Sequence, residues 1–202
     1  MREIRVLGVF EDRAQADFLI GLLGVSAARA HLVLEWTLTK TDGCSFDHLD
    51  SHLALAPGHN GVVVGVDGRK LGPRRKRERL RAGSRVDLGT TPILRCVACP
   101  SIEAWMLADP DALPEVLREN YGETLRSSRP SHPRSEARAK DVLSAWVTGL
   151  VGDRLLRGGR EHAEEVGAAT RRDRLAPSRN LDLVTLLDSE APEFWEACTR
   201  NR

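Results

Sequence analysis

Gly61-Val62-Val63-Val64-Gly65-Val66-Asp67-Gly68-Arg69-Lys70 passes from valine and glycine directly into an acid, a glycine and two cations. A short, unbroken apolar run predicts a strand covered on both faces, as inner strands of parallel sheets are. Asp67 then falls at the carboxyl end of that strand, the edge where open α/β sheets place their ligands. A carboxylate there, followed by Arg69 and Lys70, points to the handling of a metal ion or a phosphate. The structural alternative is a plain turn, since Asp-Gly is a favoured turn dipeptide.

Upstream, residues 2–10 (REIRVLGVF) alternate and then become apolar, which predicts a first strand ending at Glu11-Asp12. An amphipathic helix follows from Asp12, with Ala14, Phe18, Leu19, Leu22 and Leu23 on one face and Gly24 as its expected stop. Glu11 thus occupies the same kind of strand end as Asp67. Residues 32–39 (LVLEWTLT) predict a second strand, and 45–56 a short helix carrying Phe46, Leu49, Leu53 and Leu55, closed by Pro57-Gly58. After the central strand and a basic helix, residues 92–98 (PILRCVA) supply a fourth strand. This order predicts a mostly parallel α/β sheet with right-handed crossovers.

From Ser101 onward only helical patterns occur, over 101–108, 111–121, 135–156, 161–170 and 182–199. Residues 1–110 therefore read as an α/β core, and residues 111–202 as a helical extension packed on it.

At 202 residues the chain is long enough to bury a proper core. Its 30 Lys+Arg against 29 Asp+Glu leave a net charge of +1, so any attraction to nucleic acid must be local. Neither an export signal nor an apolar run long enough to span a membrane is present, which predicts a soluble, cytoplasmic protein with no membrane partner. In that compartment Cys44, Cys96, Cys99 and Cys198 are expected as thiols. Cys96 and Cys99 have C-x-x-C spacing, but without a second pair they read as small buried apolar residues in place of a zinc or redox site. His48 and His52 stand four apart without the H-E-x-x-H context of a zinc enzyme, and read as a partly exposed helix face. No G-x-S-x-G or P-loop motif is present.

Glu11 and Asp67 converge if their strands are neighbours, and oxygen-only ligands suit Mg²⁺ or Mn²⁺. Glu103, in the first turn of the helix after the fourth strand, is a third candidate ligand; its structural alternative is a charge that stabilises the helix N-terminus. Trp105, two residues further on, is expected to point into the core. Between Arg69 and Arg85, the cations Arg69, Lys70, Arg74, Arg75, Lys76, Arg77, Arg79, Arg81 and Arg85 face the lone acid Glu78. That density predicts contacts to a phosphodiester backbone, with a solvated helix face as the alternative.

Glu11, Asp67 and the helix Glu103-Ala104-Trp105-Met106-Leu107-Ala108-Asp109 together resemble the Toprim-like superfamily, in particular a bacterial branch with an E-A-W-[LM]-L-A-D helix. The resemblance covers about half of the chain, and the helix is its most specific part. It implies a Toprim-like sheet and a Mg²⁺-dependent nuclease, with a role in defence against phage. Glu11 matches the family's general acid or base and Asp67 the first aspartate of its metal-binding D-x-D pair. Arg69 stands where the second aspartate is expected, and a guanidinium cannot ligate a cation. Either Glu103, Asp109 or Asp12 supplies that oxygen, or the chain is a catalytically inactive subunit that binds nucleic acid or a protein partner such as an ATPase.

If the basic segment tracks a nucleic-acid backbone, replacing Arg74, Arg75 and Lys76 by Ala should flatten the slope of log affinity against log salt by about 0.7–0.9 per lost phosphate contact. Oligonucleotide titrations across a salt series measure this; an unchanged slope assigns the segment to solvation alone.

Overall fold

A computed structural model of the chain describes residues 1–39, 49–68, 78, 86–122, 136–152, 158–176 and 180–200. The sheet has four strands, β1 (Arg2–Phe10), β2 (Leu32–Thr39), β3 (Gly61–Asp67) and β4 (Ile93–Ala98), in the order β2-β1-β3-β4 and all parallel. Every residue of β3 is buried, as its unbroken apolar run requires of a strand covered on both faces. β2 lies at an edge, and its burial alternates along the strand.

The chain leaves β1 for β2 on one side and then returns across β1 to place β3 on the other. The direction of winding therefore reverses between β1 and β3, and such a reversal opens a crevice at the strands' carboxyl ends. The two crossover helices cover opposite faces accordingly. Helix α1 (Arg13–Arg29) sets Phe18, Leu19, Leu22 and Leu23 against Ile4, Val6 and Val63. Helix α2 (Leu49–Leu53) sets Leu49 and Leu53 against Leu7, Val9, Val62 and Val64.

The C-terminal half adds helices α3 (Ile102–Met106), α4 (Ala112–Tyr121), α5 (Glu136–Val151), α6 (Ala163–Ala169), α7 (Leu181–Thr185) and α8 (Ala191–Arg200). Leu117, Val147, Val166 and Trp195 share one buried cluster with the α1 residues, so the helical region completes the core on that face of the sheet. Among the described residues, α1 and α6 cross with their backbones in close approach. A Cβ on Gly21 would stand 2.0 Å from the Glu164 carbonyl oxygen, and one on Gly167 2.1 Å from that of Phe18. Only glycine lets the two backbones approach this closely.

Several boundaries differ from those the sequence predicts. Gly24 does not stop α1, which runs on through Ala27 and Ala28 to a cap at Ala30. One glycine costs a helix about 1 kcal/mol relative to alanine, less than the burial of Leu22, Leu23 and Ala27 returns. The turn falls instead at His31, which takes φ 59°. The expected helix over 182–199 is divided by a π-helical turn at Leu186–Glu190, just before Pro192, which lacks the N–H an α-helix would use there. Leu55 lies beyond the end of α2 and is 53 % exposed, so it is not the core residue its spacing predicts. Helix α5 ends at Val151, followed by Gly152 at φ 72°, and the rest of the expected helix to position 156 lies outside the described residues. Cys96 is buried as expected, whereas Cys99 is only partly so, and neither forms a disulfide. Phe46, Cys44, His48 and the basic segment around Arg69, Lys70, Arg74, Arg75, Lys76 and Arg79 lie outside the described residues.

Two glycine substitutions within α1 should have opposite effects. Gly21→Ala drives a methyl into the α6 backbone and should cost at least about 3 kcal/mol. At Gly24 a Cβ would meet nothing within 4 Å, so Gly24→Ala should gain about 0.5–1 kcal/mol. Urea unfolding of the two variants measures both, and equal destabilisation would contradict the described helix crossing.

Candidate acidic site at the carboxyl edge of the sheet

Glu11 and Asp67 meet because β1 and β3 are neighbours whose register pairs Phe10 with Gly65. The Glu11 amide continues that ladder by donating to the Gly65 carbonyl at 3.2 Å. The Glu11 side chain then crosses the crevice, and its Oε2 accepts the Asp67 backbone N–H at 2.9 Å. Gly68 lets the chain leave β3 beside β4: its amide donates to Ala98 O at 2.6 Å, and a Cβ there would stand 2.8 Å from Cys99 Sγ.

Gln15 ties the two acids together from the first turn of α1. Its Oε1 accepts the Glu11 N–H at 2.9 Å, and its Nε2 donates to Asp67 Oδ1 at 3.3 Å. The same Asp67 oxygen accepts the N–H of Ile102, the first residue of α3, at 3.0 Å. Helix α3 is thereby held against the end of β3, which carries Glu103 into the site. Asp12 caps α1 by accepting the Gln15 N–H at 2.9 Å and adds its charge nearby.

Glu103 is fully buried, and no described group donates a hydrogen bond to either of its carboxylate oxygens. Arg160 approaches Oε1 at 3.7 Å, too far for a hydrogen bond. Burial pushes the Asp67 carboxyl up to about 8, with the charges of Glu103, Asp12 and Glu11 adding to the effect and the Ile102 N–H opposing it.

Trp105 is 1 % exposed and points into the core as expected. Its indole Nε1 donates to Asp182 Oδ2 at 3.0 Å, and the same oxygen accepts the Cys99 N–H at 3.1 Å. Asp182 thus pins α3 and the end of β4 to the start of α7. Burial raises the pKa of Asp182, and the Trp105 N–H acts against that.

The structure brings Glu11, Asp67 and Glu103 to one edge, with Asp12 beside them. Asp109 does not join them. Its Oδ1 accepts the Asp111 N–H at 2.9 Å and its Oδ2 the Arg171 N–H at 2.8 Å, so both oxygens staple the turn before α4 to the chain after α6. Gln15, Arg160 and Asp182 are contributors that sequence reasoning missed. Gln15 left a signal, a polar residue one turn after Glu11 on a buried helix face. Arg160 and Asp182 left none, because only the tertiary fold brings them near Glu103 and Trp105.

The donor chemistry of this edge suits a hard divalent cation, for it is all carboxylate oxygen and Glu103 is without a hydrogen-bond donor. As the side chains stand, no three His, Cys, Asp or Glu residues among those described are arranged to hold a metal ion. The Glu11 and Asp67 carboxylates are turned instead to backbone amides. Among the described residues, no helix is long and apolar enough to cross a membrane. Compared with known proteins, the chain matches no family model, no curated protein and no solved structure.

The raised pKa of Asp67 makes the stability of the fold depend on pH. Between its ordinary value near 4 and its native value of about 8 the native carboxyl holds a proton that the unfolded chain has released. This stabilising term is complete below the ordinary value and is lost as pH rises to about 8, at no more than about 1.4 kcal/mol per pH unit. Asp67→Asn keeps an oxygen for Ile102 and Gln15 but cannot ionise. Its stability relative to the parent should therefore climb between pH 5 and pH 8.5 in metal-free thermal melts. Parallel curves would show that Asp67 is not held neutral.

Proposed function

We propose that the acidic edge is a Mg²⁺- or Mn²⁺-dependent site for phosphodiester hydrolysis in DNA or RNA. The observation that carries this reading is the gathering of Glu11, Asp67 and Glu103 where the sheet's winding reverses, with the buried Glu103 carboxylate given no hydrogen bond. Buried carboxylates that repel one another are costly unless a cation compensates them. The resemblance of Glu11, Asp67 and the Glu103–Asp109 segment to Toprim-like nucleases supports the same chemistry, and with it a role in defence against phage.

Glu11, Asp67 and Glu103 would hold the ion, once the Asp67 and Glu11 side chains turn from the amides they now engage. A bound divalent cation supplies charge for the scissile phosphate and lowers the pKa of a coordinated water. Glu11 would take a proton, a role supported by its carboxylate's reach from the end of β1 to the end of β3. Gln15 holds Glu11 and Asp67 in register. The cations between Arg69 and Arg85 would position the nucleic-acid backbone.

Arg69, standing where the family's second aspartate is expected, favours a second reading, in which the protein binds nucleic acid without cleaving it. Cleavage of a labelled oligonucleotide in Mn²⁺ separates the two. The parent should cut, and Asp67→Asn and Glu103→Gln should each lose at least about a hundredfold in rate with the fold intact by circular dichroism. Oligonucleotide binding without cleavage by the parent establishes the second reading.

A further inference from the structure

Glu103 is buried without a hydrogen bond, yet it is not without a counter-charge. Arg160 Nη1 stands 3.7 Å from Oε1, and the Arg160 side chain keeps 38 % of its surface exposed. A partly exposed arginine side chain thus approaches a carboxylate that solvent does not reach.

The backbone that launches Arg160 is fixed on both sides. Gly158 and Gly159 take φ of 60° and 88°, a conformation open to glycine at little cost. A Cβ on Gly159 would stand 2.6 Å from Val147 Cγ2, so this turn is pressed against α5. On the other side, His162 Nε2 meets the Tyr121 hydroxyl at 2.9 Å and Nδ1 meets Glu165 Oε2 at 2.5 Å. The arginine side chain itself has four torsions and is partly exposed.

Resting on the cation reading above, we infer that Arg160 is a positioning residue with two stations: it compensates Glu103 in the metal-free protein, and it turns to the substrate's phosphate when a divalent cation occupies the acidic edge. Repulsion between the two cations favours the exchange. A guanidinium and a divalent cation a few ångströms apart repel one another, and Glu103 cannot be fully compensated by both. Released from the carboxylate, Arg160 would present a planar fork of donors that matches phosphate oxygens, beside the proposed cation site.

The test is manganese binding by the full chain, read from the loss of the free-ion paramagnetic resonance signal. Arg160→Ala and Arg160→Gln should each bind Mn²⁺ roughly tenfold more tightly than the parent. In a Glu103→Gln background the same substitutions should change affinity by less than about twofold, because the competition is for that carboxylate. The second station is read with a short oligonucleotide in Ca²⁺, where Arg160→Ala should weaken binding about tenfold, but not in a chelator.

Equal manganese affinity in the parent and both variants overturns this inference and leaves the cation site standing. Failure of parent and variants alike to bind manganese overturns both. Tighter manganese binding with undiminished oligonucleotide affinity in Ca²⁺ overturns the phosphate station.

Discussion

Repulsion among carboxylates at the end of β3 is the interaction around which the surrounding structure is arranged. Glu11, Asp67 and Glu103 are each at least nine-tenths buried and belong to three different elements. Left alone, such a group would ionise only at great cost. The fold answers with backbone amides, a glutamine, a proton and one arginine. The Asp67 amide serves Glu11, the Ile102 amide and Gln15 serve Asp67, and Arg160 serves Glu103. Asp67 is relieved further by staying neutral. These compensations hold the acids in place, and those on Asp67 and Glu103 are the kind a divalent cation would take over.

The helices after β4 belong to this arrangement and do more than cover the sheet. Helix α6 lies backbone to backbone on α1 through Gly21 and Gly167. That crossing fixes the turn carrying Arg160 relative to the helix that carries Gln15. At the start of α7, Asp182 fastens Trp105 and Cys99, which keeps α3 at the end of β4. The long-range charges and donors around the acids thus come from residues remote in sequence.

Much of the fold was legible because its signals are local. The β3 run reads as an inner strand, and the acids after β1 and β3 follow from where strands end. Trp105 was placed in the core by its spacing from Glu103. Helix ends were less legible. Gly24 reads as a stop, but packing of the residues around it outweighs the propensity of one glycine. The partners of the acids were least legible of all. Gln15 is near Glu11 in sequence, whereas Arg160 and Asp182 are joined to the site by packing. Asp109 shows the converse, for it shares the Glu103 segment yet its oxygens are committed to the amides of Asp111 and Arg171.

Whether the acids at this edge share a divalent cation, as proposed above, is read by anomalous diffraction from crystals soaked in Mn²⁺. The expected result is a manganese peak outside the carboxyl ends of β1 and β3, within oxygen-ligand distance of Asp67 and at least one of Glu11 and Glu103. Arg160 should have withdrawn from Glu103. A fully soaked crystal with no peak at this edge, and with Glu11 and Asp67 still turned to the amides of Asp67 and Ile102, would contradict it.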